Sequence, residues 1–223
     1  MGDAIGQVLP LAVGVALSPV PIIAVVLMLG TPRARSNGPV FVVGWTAGLA
    51  VVGTLALLLA AGAGAAGEGE PASWVGVVKL ALGVLLVLLA VWQWRQRARD
   101  GEEGVLPGWM RTIDGFTAVK SFGMAALLSG ANPKNLMLTV GAAAAIAQAS
   151  ISSGQRAGAL AVFVAIGTAG PAIPVAIYFA AGRRAAPLLD ELKGWLGANN
   201  TTIMAVLCLV IGAKLVGDGI AVL

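Results

Sequence analysis

The chain has 223 residues, of which 58% are hydrophobic and only 11% are charged, and its mean hydropathy is +0.92. A soluble domain of this length carries about 25% charged residues, so the composition indicates an integral membrane protein. There is no histidine and only one cysteine, Cys208, which excludes histidine acid–base chemistry, an intramolecular disulfide and a thiolate metal cluster. We interpret the net charge of +4 as a determinant of orientation in the membrane, not as a sign of nucleic-acid binding.

Six apolar stretches are long enough to cross the ~30 Å hydrocarbon layer, which takes about 20 helical residues. In chain order they cover approximately residues 4–30, 38–62, 73–94, 118–149, 156–182 and 199–222. The sequence therefore predicts an all-α integral membrane protein, a single transmembrane domain over 1–223 with six transmembrane helices.

The first and fourth stretches are each interrupted by a short polar motif that contains proline. "SPVP" occupies residues 18–21 and "NPKN" occupies residues 132–135. Proline removes a backbone donor and clashes with the preceding turn, and serine or asparagine before proline is typical of a helix start. We expect helices 1 and 4 to be broken near the midplane of the membrane. The alternative is a pair of proline kinks that neighbouring helices stabilise.

The two halves of the chain resemble each other. "FVVGWTAGLA" (41–50) and "FVAIGTAGPA" (163–172) share six of ten residues at an offset of 122, and the proline motifs lie 114 residues apart. With three helices in each repeat, the second copy must enter the membrane inverted. We predict repeats over about 1–95 and 118–223, joined by a cytoplasmic loop over about 96–117. The alternative is chance similarity between two apolar helices.

Basic residues concentrate in the first, third and fifth connections between the predicted helices. These connections hold ten of the fourteen: Arg33, Arg35, Arg95, Arg97, Arg99, Arg111, Lys120, Arg183, Arg184 and Lys193. The second connection carries only Glu68 and Glu70, and the fourth only Arg156. The positive-inside rule then predicts that loops one, three and five are cytoplasmic and that both termini are outside.

A lysine lies beside the second break. Lysine near the middle of the membrane is costly unless it serves a polar cavity, and the start of a helix favours anions. We therefore expect Lys134, with the backbone N–H groups that follow Pro19 and Pro133, to bind an anion. The candidate substrate-binding residues at the two breaks are Ser18, Pro19, Pro21, Asn132, Pro133, Lys134 and Asn135.

Three further charged residues are candidates for the same function. Lys79 either faces a cavity or extends to the outer surface, and Lys214 either faces a cavity or pairs with Asp218 one turn later. Apart from Asp218, no acidic residue lies in the predicted hydrocarbon region, whereas carriers of metal cations or cationic amino acids need such ligands. The inventory favours an anionic substrate or an anionic lipid headgroup.

"LSPVPIIAVVLMLGTPRARSNGPVFVVGWTAGL" and "LSGANPKNLMLTVGAAAAIA" resemble the GAP family, the sulfolipid- and glycopeptidolipid-addressing proteins of actinobacteria, within the lysine-exporter superfamily. The resemblance implies an exporter-like fold of six helices, and it makes the seven residues of the two breaks the core motif. The same broad fold group contains membrane thiol-disulfide carriers, an activity that the missing cysteine pair excludes here.

We therefore expect a transporter, not an enzyme, in the bacterial cytoplasmic membrane. It would export or translocate an anionic lipid, glycolipid or lipid precursor toward the cell surface, with membrane lipids as partners and neither nucleic acid, metal nor cofactor. The alternatives are an exporter of a small solute, such as an amino acid or ion, and a non-transporting accessory protein. A homo-oligomer and a complex with a lipid-synthesis or export machine are both open.

Overall fold

The computed structural model describes residues 1–65, 73–96 and 108–223. Within these ranges the chain is helical and contains no strand. The helices are α1 (Gly2–Ala16), α2 (Pro19–Leu29), α3 (Ala34–Ala60), α4 (Ser73–Arg95), α5 (Ala118–Gly130), α6 (Pro133–Gln148), α7 (Ser153–Ala181) and α8 (Ala185–Ile220). A π-helical turn, Ala61–Ala65, follows α3, and 3-10 segments cover Gly108–Gly115 and Gly182–Arg184.

The predicted break in the first helix is present between α1 and α2. Pro19 has no N–H to donate to the carbonyl of Val15, one turn earlier, so the helical ladder stops there. The Ser18 hydroxyl replaces the missing N–H as donor to Val15 O, at 2.7 Å. Ser18 has extended backbone angles, and α2 begins at Pro19 with its axis turned by 48° from that of α1.

The predicted break in the fourth helix is present between α5 and α6. Asn132 is the N-cap of α6, and its side-chain oxygen accepts hydrogen bonds from the backbone N–H of Lys134 at 3.0 Å and of Asn135 at 3.5 Å. Pro133 occupies the first helical position, where the backbone N–H has no acceptor within the helix, so its absence costs no hydrogen bond. A cap and a proline together therefore fix the place where the helix restarts.

The helices make this a multi-pass membrane protein. Among the described residues, α3, α4, α7 and α8 are each long and apolar enough to cross a membrane, and the bent pair α1–α2 is a fifth candidate span. The fourth predicted span, 118–149, is divided between α5, of 13 residues, and α6, of 16 residues. Neither reaches the ~20 residues that a span needs by itself.

The last helix is longer than the sequence predicted. We expected it to begin near residue 199, with Lys193 in a loop, but α8 starts at Ala185 and has 36 residues, about 54 Å of helix. Its polar first half is supported along the helix by the ion pair of Lys193 with Asp190 at 2.7 Å. Gly182, whose φ of +54° favours glycine, allows the short turn from α7.

The two short helices after the breaks form the centre of the bundle. In α2 nine of eleven residues are buried, and in α6 eleven of sixteen, whereas the longer helices expose many large apolar side chains. Those exposed side chains are suited to contact lipid. The bundle is packed closely at glycines: Gly44 and Gly48 lie against the backbone of α5, and Gly170 lies against the carbonyl of Ala16 at the end of α1. The four-residue spacing of Gly44 and Gly48 puts both on one face of α3, and small residues on one face let two helices approach closely.

Other contacts join the long helices. The hydroxyls of Thr46 on α3 and Thr168 on α7 lie 3.2 Å apart, and the Trp45 indole N–H donates to Gly167 O at 3.0 Å. Helices α4 and α8 meet where Gly83 lies against the backbone of Gly212.

The third connection is described only in its last part. Met110, Ile113 and Phe116 are buried, and the side-chain amide of Asn37 donates to Phe116 O at 2.9 Å. This contact attaches the 3-10 segment to the start of α3. Glu68, Glu70, Arg97 and Arg99, which the orientation prediction used, lie outside the described residues.

Candidate functional site

Lys134 lies at the meeting point of the two breaks. It is only 2% exposed, although it carries the only ammonium group in α6. Its Nζ donates to the carbonyl oxygen of Gly14 at 2.7 Å and to the hydroxyl of Ser18 at 2.6 Å. The prediction that Lys134 faces the interior is confirmed.

The break in the first helix explains why the ammonium lies there. In a continuous helix Gly14 O would accept from the backbone of residue 18, but α1 ends at Ala16 and leaves its last carbonyls without helical partners. The C-terminal end of a helix carries partial negative charge, which attracts a cation. The fold therefore brings the uncapped end of α1 and the Lys134 ammonium into contact inside the bundle.

A second set of hydrogen bonds joins the two breaks. Ser18 Oγ lies 3.2 Å from Asn135 Oδ1, and Asn135 Nδ2 donates to Leu128 O, near the end of α5, at 3.1 Å. The single hydroxyl proton of Ser18 thus has two acceptors, Val15 O and Asn135 Oδ1. Ser18 and Asn135 are 3% and 0% exposed, so this network is enclosed by protein.

No carboxylate of the described residues balances the charge of Lys134. Among the described residues the ion pairs are Lys193 with Asp190 and Lys214 with Asp218. A buried charge is normally paired, because its removal from water costs several kcal/mol. Lys134 is bonded to two neutral oxygens, and this leaves a net positive charge inside the bundle.

Most of the backbone donors that we expected to bind an anion are absent or already occupied. Pro19 and Pro21 have no N–H, and the first amides of α6 donate to the side chain of Asn132. For the amides that follow Pro133 the prediction is wrong, because Asn132 caps its own helix, whereas for the amide that follows Pro19, that of Val20, it stays a prediction. The positive charge of the site is therefore that of Lys134 Nζ alone. The prolines determine where the helices start but offer no N–H to a ligand.

Sequence reasoning missed three residues near Lys134. Gly14 supplies a carbonyl oxygen, and its position four residues before Ser18 was the available signal, since a break orphans the carbonyls of the preceding turn. Cys208 is buried on α8, one turn before Ile211, which lies against Gly14. Thr139, one turn beyond Asn135 on α6, has a buried hydroxyl without a hydrogen-bond partner in the described part of the chain.

The remaining candidates form a separate group at the other end of α6. Lys79 is 4% exposed and donates to Gln148 Oε1 at 2.5 Å, so it does not extend to the surface as one interpretation held. The predicted ion pair of Lys214 with Asp218 is present on α8. Gln148 and Lys134 are 14 residues apart on one helix, about 21 Å, so the structure does not bring these residues to the central site.

The described residues contain no group of three or more His, Cys, Asp or Glu side chains that could hold a metal ion. What the central site offers is the buried ammonium of Lys134, the hydroxyl of Ser18 and the amide of Asn135. These groups can bind an anionic oxygen by charge and by hydrogen bonds.

Fold and site together define a class: a multi-pass α-helical membrane protein with an unpaired lysine buried between two broken helices. The chain belongs to the family described as Sap, sulfolipid-1-addressing protein, which matches residues 8–221. This match confirms the resemblance to the sulfolipid-addressing proteins, while membership of the lysine-exporter superfamily stays a prediction. Comparison with curated proteins and with solved structures gave no match.

Proposed function

We propose that this protein is a transporter that moves an anionic lipid, glycolipid or lipid precursor through the bacterial cytoplasmic membrane toward the cell surface. The observation that carries the proposal is the Lys134 ammonium, buried at the centre of the bundle and bonded only to neutral oxygens. Membership of a family named for sulfolipid addressing supports the same class of ligand.

The contacts of Lys134 are of a kind that an anion can replace. A sulfate or phosphate oxygen forms a stronger, charge-assisted hydrogen bond with an ammonium than a carbonyl or hydroxyl does. Binding of the anion also removes the cost of burying an unpaired charge. When the anion leaves, the ammonium again donates its hydrogen bonds to Gly14 O and Ser18 Oγ. Lys134 thus alternates between the end of α1 and the ligand, which is the exchange that binding and release require.

We further propose that α1–α4 and α5–α8 are two inverted repeats, with both breaks near the bilayer midplane. Thr46 and Thr168 occupy the same position in the two similar segments, and their hydroxyls lie 3.2 Å apart. Equivalent residues contact each other only close to a symmetry axis, so the pair supports a two-fold axis between α3 and α7. In transporters with inverted repeats, the substrate site lies near such an axis.

The orientation with both termini outside belongs to the same proposal. It rests on the basic residues of the first, third and fifth connections. Lys193, on the polar first half of α8, and Arg35, at the start of α3, are on that predicted cytoplasmic side. A reporter fused to the C-terminus should be active only outside the cytoplasm, and cytoplasmic activity would contradict the orientation.

The function can be tested in vesicles that contain the purified protein and a fluorescent sulfated lipid. A membrane-impermeant reductant bleaches the label in the outer leaflet and so reports movement between leaflets. We expect Lys134→Met and Lys134→Gln to reduce protein-dependent movement to the level of empty vesicles, and Lys193→Met, which changes a half-buried lysine outside the central site, to leave it unchanged. Wild-type rates in both Lys134 variants would overturn the proposal.

The same vesicles separate the two alternatives. An exporter of a small solute would move a water-soluble anion and not the labelled lipid, and this movement would still require Lys134. A non-transporting accessory protein would move neither.

A further inference from the structure

A second cluster of charged and polar side chains lies at the end of α6 that is remote from Lys134. It consists of Lys79 on α4, Gln148 on α6, and Lys214 and Asp218 on α8. We propose that this cluster, which we name the outer site, binds the headgroup of a second anionic lipid. The inference rests on the proposed function for its class of ligand, but its residues are separate from the central site.

The cluster has an excess of positive charge. Two ammonium groups face one carboxylate, because Asp218 pairs with Lys214 while Lys79 is hydrogen-bonded to the neutral amide oxygen of Gln148. Lys79 and Asp218 lie beside a close contact of α4 and α8, where Gly219 packs against the backbone of Leu80. The two ammonium groups and the carboxylate therefore form one group with a net charge of one positive unit. An anion is the ligand that this arrangement lacks.

The cluster also has an unused donor. The Nε2 atom of Gln148 is buried and has no hydrogen-bond partner in the part of the chain that the structure describes. Its Oε1 is fixed by Lys79, and this directs the amide nitrogen away from that lysine. Together with the ammonium groups of Lys79 and Lys214, this N–H group completes a set of donors for the oxygens of a sulfate or phosphate.

An apolar groove next to the cluster favours a lipid over a free ion. The groove has a volume of about 400 Å³ and lies between α3, α4 and α6, with Leu59, Trp74, Val78, Val140 and Ala144 among its lining residues. Gln148 lies one turn beyond Ala144 on the same face of α6. An acyl chain in the groove would therefore bring its headgroup to the outer site.

The outer site is partly exposed, whereas the central site is buried. The side chains of Lys214 and Asp218 are 29% and 34% exposed, whereas Lys134 is 2% exposed. A headgroup can therefore reach Lys214 without a change in helix packing, whereas Lys79 and the Gln148 amide nitrogen are buried and must turn toward it. The outer site would hold the lipid after it leaves Lys134 or before it returns, as an acceptor in the outer leaflet.

Native mass spectrometry of the protein in mild detergent can count bound lipids directly. The probe is a sulfated glycosphingolipid, with the same lipid lacking the sulfate as a neutral comparison. We expect the wild type to bind two sulfated molecules, and Lys79→Met and Gln148→Leu each to lower the affinity for one of them by about tenfold, the loss of one hydrogen bond that involves a charged group. Lys193→Met is the matched control and should bind two.

The variants distinguish this inference from the proposed function. Loss of one lipid in Lys134→Met, with no loss in Lys79→Met and Gln148→Leu, would overturn the outer site and leave the central site standing. Loss in the Lys79 and Gln148 variants, with none in Lys134→Met, would retain the outer site and contradict the central one. Equal binding of the neutral lipid, or no binding to the wild type, would overturn the outer site. Thermal unfolding of each variant checks that it is folded.

Discussion

Replacement of Ser18 by alanine tests whether its hydroxyl holds the buried ammonium. Ser18→Ala removes an acceptor 2.6 Å from Lys134 Nζ and a donor 2.7 Å from Val15 O. A hydrogen bond to a charged group contributes about 1.5–3 kcal/mol, and interhelical bonds in membranes lie at the low end of such ranges. We expect the free energy of unfolding to fall by about 2 kcal/mol, which changes the unfolding equilibrium by about thirtyfold.

A second buried serine provides the matched control. Ser121 is 0% exposed, and its hydroxyl has no partner among the described residues, so Ser121→Ala should be neutral or slightly stabilising. The measurement is equilibrium unfolding in mixed detergent micelles. The effect of Ser18→Ala should shrink in a Lys134→Met background, because the interaction is then already absent. Equal effects of the two serine variants, or an effect of Ser18→Ala that is independent of Lys134, would refute this account of the site.

Two further predictions concern packing and the third connection. Gly212→Ala should lower thermal stability in detergent by about 1 kcal/mol, since its Cβ would lie 2.9 Å from a backbone oxygen of α4, whereas Gly217→Ala, with open space around it, should raise stability by about 0.5–1 kcal/mol; the opposite order would contradict the close contact of α4 and α8. Asn37→Ala should speed amide hydrogen exchange of the 3-10 segment by up to about tenfold, because it removes the 2.9 Å bond to Phe116 O, while Ser36→Ala should not; unchanged exchange in the Asn37 variant would show that this bond does not fix the segment.

Local chemistry made the breaks predictable. A proline cannot donate to the preceding turn, and serine or asparagine before it can cap a new helix, so "SPVP" and "NPKN" defined the ends of α1 and α5 within two residues. The interior position of Lys134 followed from the cost of lysine near the midplane of a membrane. Both signals act within a few residues and do not depend on which helices become neighbours.

Properties that depend on neighbouring helices were not predictable in the same way. The direction of the Lys134 side chain is set by the orphaned carbonyl of Gly14, 120 residues away in sequence, and only the fold brings them together. Lys79 had two interpretations because the sequence does not tell which face of α4 meets α6. Gln148 was not predicted as a site residue, because an amide at a helix end is usually exposed. The extension of α8 to Ala185 was hidden by a polar composition that is equally typical of a loop.

The most direct test of the central claim is to identify by mass spectrometry the lipids that co-purify with the protein in mild detergent. The account predicts that sulfated or phosphorylated lipids are enriched over neutral lipids relative to the membrane of origin. It also predicts that Lys134→Met reduces this enrichment while Lys193→Met does not, because the buried ammonium of Lys134 is the group that selects for charge. Enrichment of neutral lipids, or an unchanged anionic fraction in the Lys134 variant, would contradict the account.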